Sequence, residues 1–173
     1  AKTDKIDSIR IASYGISYWD ELTPILEVAD TYRELKLLAR QYYQMTSMLV
    51  KAKINLSNLL DQTMPGIQTV LQDSASNNKL SDFVRRYWHY SHILDMGKSK
   101  FTADYCKWAK KQGYRLNERK AEEIFAVAQN GIPVLPHSQS TKIVVTEAVR
   151  ILQEIEVSRD AILTQMQFFA KTL

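Results

Sequence analysis

Two aspartates stand three residues apart at the start of the chain, in Lys2-Thr3-Asp4-Lys5-Ile6-Asp7. On a helix, three residues are close to one turn, so Asp4 and Asp7 turn their carboxylates to one side. Carboxylates are hard oxygen donors, and such a pair can share or flank Mg²⁺ while other acids complete the shell. Acids in a first turn also complement the helix dipole, which by itself is the better account of a bare Asp-x-x-Asp. Two carboxylates cannot hold two ions, so a phosphoryl-transfer site built on them needs acids from elsewhere.

A second set of residues carries positive charge. Residues 98–120 hold Lys98, Lys100, Lys107, Lys110, Lys111, Arg115, Arg119 and Lys120 against Asp104 and Glu118, a net +6 in a chain whose formal total is +4. The segment 31–64 adds Arg33, Lys36, Arg40, Lys51 and Lys53 against Glu34 and Asp61, a net +3, whereas the first 30 residues carry −3. Phe101, Tyr105, Trp108 and Tyr114 lie among the cations. Cations neutralise phosphates and exposed rings stack on unpaired bases, so the region reads as a nucleic-acid surface, with the rings favouring structured RNA over duplex DNA. The alternative is a solvated face with its rings in the core, and that placement is favoured for Tyr105 and Trp108, which share a helical stripe.

Other reactive residue types are isolated. Cys106 has Lys107 and Lys110 nearby but no His or Asn in a definable relation, so it reads as a plain thiol. His89 and His92 sit at i, i+3 without a third ligand in view, and His137 reads as a loop residue beside Pro136. Ser138, Ser140 and Thr141 cluster without a base, which suits helix capping.

These residues must be positioned by helices. Leu35, Leu38, Tyr42, Met45, Leu49, Ala52, Leu56 and Leu59 step by three and four, predicting a long helix over 31–64 that Pro65-Gly66 ends. Asp30 or Thr31 can cap its start. Val145, Ala148, Leu152, Ile155, Ile162, Met166, Phe169 and Leu173 repeat the spacing over 138–173, broken at Arg159. The two seams suit an antiparallel, coiled-coil-like pair within one chain, and further dimer contacts on other faces are compatible with it. Between them, a helical insert over 65–137 is predicted to hold helices at 80–93, 101–112 and 118–130, the last starting at Asn117 and stopping at Gly131 as a C′ glycine. A short helix over 4–18 with Asp4 as its cap, a connector over 19–30 and a polar loop over 73–79 complete the reading.

The composition agrees with an all-α class. The 173 residues are 45% hydrophobic and 24% charged, a globular balance. With 5 Gly and 4 Pro there is too little turn chemistry for a sandwich, barrel or doubly wound sheet. One cysteine excludes an internal disulfide framework and a cysteine-based zinc module. No apolar run is long enough to span a membrane, and no secretory signal pattern opens the chain, so a soluble protein of a reducing compartment is expected.

The opening residues carry a resemblance. Lys2-Thr3-Asp4-Lys5-Ile6-Asp7-Ser8 resembles the Lys-Thr-Asp-x-x-Asp-Ala segment that closes the RuvC-like domain of DEDD-type insertion-sequence transposases, relatives of the Piv-type invertases that include bridge-RNA-guided recombinases. Leu35, Leu38, Arg40, Lys51, Asn58-Leu59-Leu60 and Pro65 are similar to the basic long helix that follows in that family. The middle of the chain, 67–137, matches in helical character only, and Ser8 stands where the family often has Ala.

The resemblance implies a Mg²⁺ site of four acids, of which Asp4 and Asp7 match the last two, with the first two on upstream strands. It further implies a C-terminal domain with a reactive serine. The chain then reads as an excised piece: residues 1–20 as the last helix of a RuvC-like domain and residues 21–173 as a helical coiled-coil domain. Its full-length parent would be a Mg²⁺-dependent DNA transposase or recombinase, and this piece alone would be inert. Expected partners are DNA, a structured guide RNA and a second copy, with a tetramer in the full complex, in a bacterial cytoplasm at the nucleoid. A free-standing helical RNA- or DNA-binding dimer and a coiled-coil adaptor are the alternatives.

Overall fold

The structure, a computed structural model, describes residues 4–21, 30–71 and 78–172. The described part is all-α, as expected. Its elements are α1 (Asp4–Ser17), a single 3₁₀ turn (Trp19–Glu21), α2 (Asp30–Thr63), α3 (Ile67–Leu71), α4 (Lys79–Arg86), α5 (Tyr90–Met96), α6 (Lys98–Lys111), α7 (Glu118–Asn130) and α8 (Gln139–Thr172). Most of the connector over 19–30, most of the polar loop over 73–79, the Lys2-Thr3 pair and Leu173 lie outside the described residues.

Residues 1–37 form one compact unit and residues 38–173 another. In the first, α1 has no buried residue, and Ile9, Ile11, Tyr14 and Ile16 are all exposed. Asp4, the first described residue, is already helical where it was expected as the cap, and the helix runs through Gly15 to Ser17.

In the second unit, α8 starts beside the end of α2. The N–H groups of Val134 and Leu135 both donate to the carbonyl of Gln62, at 2.9 and 3.0 Å, satisfying an orphan acceptor in the last turn of α2. Farther along the two helices, Lys53 Nζ on α2 lies 3.8 Å from Glu156 on α8. Ser138 caps α8 by accepting from Thr141 N–H at 3.2 Å. The seams are buried only near this end, at Leu49, Leu56 and Leu60 on α2 and at Val145, Ala148, Val149, Leu152 and Ile155 on α8. Farther out, Leu38, Tyr42, Met45, Ile162, Met166 and Phe169 stay half-buried.

The insert packs around α7, which contacts α3, α5 and α6, while α4 lies along α8. Its interior is aromatic: Phe83, Tyr87, Tyr90, Phe101 and Tyr105 are fully buried. The helix expected over 80–93 is two helices. Tyr87, Trp88 and His89 leave the helical path between α4 and α5, with His89 extended at φ −157°. All three are buried, and tertiary packing overrides local propensity there. The short α3 was not predicted. Gly97 (φ 74°) separates α5 from α6 without a longer loop.

α7 begins and ends where expected, with Asn117 Oδ1 accepting from Lys120 N–H at 3.2 Å. The role of Gly131 differs from a C′ glycine in the left-handed region, because its φ is −77°. Glycine is needed for space: a Cβ here would lie 2.6 Å from Tyr90 Cε2. The Tyr90 ring cannot easily yield, since it is buried and its hydroxyl donates to Pro65 O at 2.8 Å. Gly131→Ala is therefore expected to cost about 1–3 kcal/mol by overpacking, seen as a lowered urea midpoint. Pairing it with Tyr90→Leu should lessen the penalty of adding the methyl group, which would not happen if backbone strain were the cause.

Candidate functional site

Asp4 and Asp7 occupy the first turn of α1, Asp4 exposed and Asp7 half-exposed. Ser8 Oγ donates to Asp4 O at 2.6 Å, so Ser8 serves the helix backbone. The two carboxylates are the right donors for Mg²⁺ but supply only part of its octahedral shell. Among the described residues no group of three or more His, Cys, Asp or Glu side chains is placed to hold a metal ion. The pair fits a share of a metal site and does not make one alone.

The cations of residues 98–120 divide by helix face. By the helical period of about 3.6 residues, Lys100, Lys107, Lys110 and Lys111 share one outward arc of α6, and all four are exposed. The opposite arc buries Phe101, Tyr105, Trp108 and Ala109. Tyr114 is half-buried and its hydroxyl donates to Asp82 Oδ2 at 2.5 Å. The core placement favoured for Tyr105 and Trp108 is what the structure shows, and with Phe101 also buried and Tyr114 tied to a carboxylate these rings lend no support to stacking on unpaired bases.

The remaining cations are partly engaged. Lys98 lies 3.1 Å from Glu122, joining α6 to α7. Arg119 and Lys120 lie 3.9 and 2.9 Å from Glu123, and Lys120 Nζ also donates to Val70 O at 3.1 Å. Arg115 is exposed in the turn after Gly113. On α2, Arg40 and Lys51 are eleven residues apart and share an outward face, whereas Lys53 points to Glu156 on α8.

Sequence reasoning missed the arginines of α4. Arg86 forms a bidentate pair with Asp104, with Nη2 2.7 Å from Oδ1 and Nε 3.2 Å from Oδ2, and Tyr87 Oη donates to Asp104 at 2.5 Å. Burial alone would raise the Asp104 pKa, but hydrogen bonds from Tyr87 and Arg86, with the charges of Arg86 and Lys107, hold it below the ordinary carboxylate value. Burial, then the bond to Asp104, raises the Tyr87 pKa, so the phenol stays protonated. Arg85, next in line, is exposed. The adjacent Arg85-Arg86 pair was the available signal, hidden inside a segment read only as core.

The structure also brings all three histidines together. His137 stacks on Trp88 at 4.6 Å between ring centroids, and lies 5.2 Å from His89 and 6.5 Å from His92. His89 is the cap of α5: its Nδ1 accepts from Ser91 N–H, and Nε2 donates to Leu135 O, both at 3.0 Å. Only the neutral ring makes both bonds. Burial lowers the His89 pKa despite the bond to Leu135, and burial, with His137, Lys142 and Arg86, lowers that of His92. Both depressions mean that the unfolded chain takes up protons the folded chain refuses. Stability should be level above the ordinary value of 6.5 and decline as pH falls below it. Urea midpoints at neutral and mildly acidic pH check this, and the decline attributable to histidine should shrink in His89→Gln/His92→Gln.

Cys106 is half-buried, and burial, then Glu118, raises its pKa, so it stays an unreactive thiol at neutral pH.

Residues 1–65, which hold the Asp4–Asp7 pair and the basic α2, match the model of a transposase family. That family is the DEDD type represented by IS110 (DEDD_Tnp_IS110), and the match takes in α1, the connector and α2. It ends at Pro65, before the insert and α8. Neither the curated proteins nor the solved structures gave a match. Among the described residues no helix is long and apolar enough to cross a membrane.

Proposed function

We propose that this chain is a central segment of a transposase acting in DNA transposition, in which Asp4 and Asp7 are two of four acids binding Mg²⁺ and the helical remainder self-associates and holds nucleic acid. The observation that carries the reading is the family match over α1 and α2, with Asp4 and Asp7 side by side in an exposed first turn. The absence of any buried residue on α1 supports a role as the outer helix of a larger nuclease-like domain. Cleavage then requires the family's other acids and its reactive serine. Met48, Val50 and Ile54 on α2 and Val144 and Ile151 on α8 are exposed apolar residues, which support a second copy as partner, with the tetramer of the full complex read from the family alone. The transposase match supports DNA as a partner. A structured guide RNA is the further partner, read from the family, and the place of action is the bacterial cytoplasm at the nucleoid.

The α6 lysines, with Arg40 and Lys51 on α2, contact phosphate. Reversing Lys107, Lys110 and Lys111 to Glu is expected to weaken nucleic-acid binding and to flatten its salt dependence by about 0.7–0.9 for each phosphate no longer neutralised. Helix content should not change, since all three are exposed. Unchanged binding would leave the lysine arc as a solvated face and remove nucleic acid from this part of the reading.

A further inference from the structure

We propose that the open groove between α4 and α6 seats the phosphate backbone of a duplex; this rests on the nucleic-acid reading above. The groove encloses about 340 Å³ and is lined by Asp82, Arg85 and Arg86 from α4 and by Trp108 and Gln112 from the α6 side. Lys107 and Lys111 directly precede Trp108 and Gln112, so the helical period sets them about a quarter turn outward on the α6 lip. Arg85 stands on the α4 lip. Both lips are therefore cationic.

One carboxylate, Asp82, lines the groove and is hydrogen-bonded by neutral donors, while Asp104 beside it pairs with Arg86. Asp82 accepts from the Tyr114 hydroxyl at 2.5 Å and from Gln153 Nε2 at 3.2 Å. Asp104 is held by Arg86 and Tyr87. Arg85, Lys107 and Lys111 have no ion pair among the described residues, and all three are exposed. The groove thus sets three cations without ion pairs, Arg85, Lys107 and Lys111, against the one lining carboxylate of Asp82.

The choice of duplex follows from what the surface lacks. Single-strand binders combine cations with rings on which bases stack. Here Trp108 is 5% exposed and Tyr105 fully buried, so little aromatic surface is offered. Cations without stacking platforms read backbone charge, which is densest on a duplex. From Lys100 to Lys111 the arc covers about 16 Å of helix axis, the rise of roughly five base-pair steps.

The test uses the 173-residue chain with Arg85→Gln, Lys107→Gln/Lys111→Gln, and Arg150→Gln as control, since Arg150 already pairs with Glu147 and Glu154. Each is titrated with a short DNA duplex, the same duplex in RNA, and one of its strands, across salt. Arg85→Gln is expected to weaken duplex binding and to reduce the salt slope by about 0.9, so that the affinity lost between 50 and 200 mM salt shrinks about 3.5-fold. The double lysine variant should reduce the slope further, and Arg150→Gln should match the parent. Either duplex binding more tightly than the single strand, with Arg85→Gln weakening that duplex binding, upholds the proposal, and the tighter of the two names its source. The groove is overturned if Arg85→Gln behaves like Arg150→Gln, or if the single strand binds as well as the duplexes. If only the lysine variant loses binding, the nucleic-acid reading stands and the groove falls. If the parent binds none of the three, both fall.

Discussion

Asp7→Ala, made in a protein that carries all four of the family's acids, is expected to reduce DNA cleavage by about three orders of magnitude or more. A bound divalent ion offsets several kcal/mol of charge in a phosphoryl-transfer transition state, and each 1.36 kcal/mol is about tenfold in rate. Removing one of its anchoring carboxylates forfeits most of that. The fold should not register the change, because Asp7 is half-exposed on a helix with no buried residue. Asp4→Ala should behave alike. Circular dichroism and oligomeric state should match the parent in both, so the loss would belong to chemistry and not to folding. A cleavage rate within a few-fold of the parent would remove the pair from the metal site and return it to the bland role of acids favouring a helix start.

Leu60→Asp is expected to unfold residues 38–173. Leu60 is fully buried where α2 meets the insert, next to Met64 and Ile67, which are also fully buried. Losing the leucine costs about 1.5–3 kcal/mol of burial, and placing an unpaired carboxylate there costs several more. Against a domain stability of about 5–15 kcal/mol, that leaves little or none. Leu37→Asp is the comparison, since Leu37 is exposed. Retention of parental helicity and a cooperative melt by Leu60→Asp would contradict the packing described for this end of α2.

What could be read in advance follows from where the information is local. The long seams announced α2 and α8, and Asn117 and Ser138 marked two starts because capping is a property of a few neighbouring residues. The break at Tyr87-Trp88-His89 carries no Gly or Pro; it exists because buried rings and the bond from His89 to Leu135 outweigh helix continuity. Lysines and rings in 98–120 alternate in sequence but occupy opposite faces in space, and the spacing of Phe101, Tyr105 and Trp108 already implied it. The meeting of His89 and His92 with His137, and the groove between Arg85 and Gln112, join residues far apart in the chain. No local pattern encodes such meetings.

The pair of hydrogen bonds to the Gln62 carbonyl also bears on the order of assembly. It ties residue 62 to residues 134 and 135, making a closed ring of the whole insert. For a flexible segment of roughly 70 residues, bringing the ends together costs about 4 kcal/mol in chain entropy. The tie alone does not recover that. A collapsed insert, with Tyr90 anchored to Pro65 and Gly131 against the Tyr90 ring, already holds the two ends near each other. If the insert condenses first, the start of α8 meets the end of α2 as a nearly local partner, and the loop closure costs little at that step.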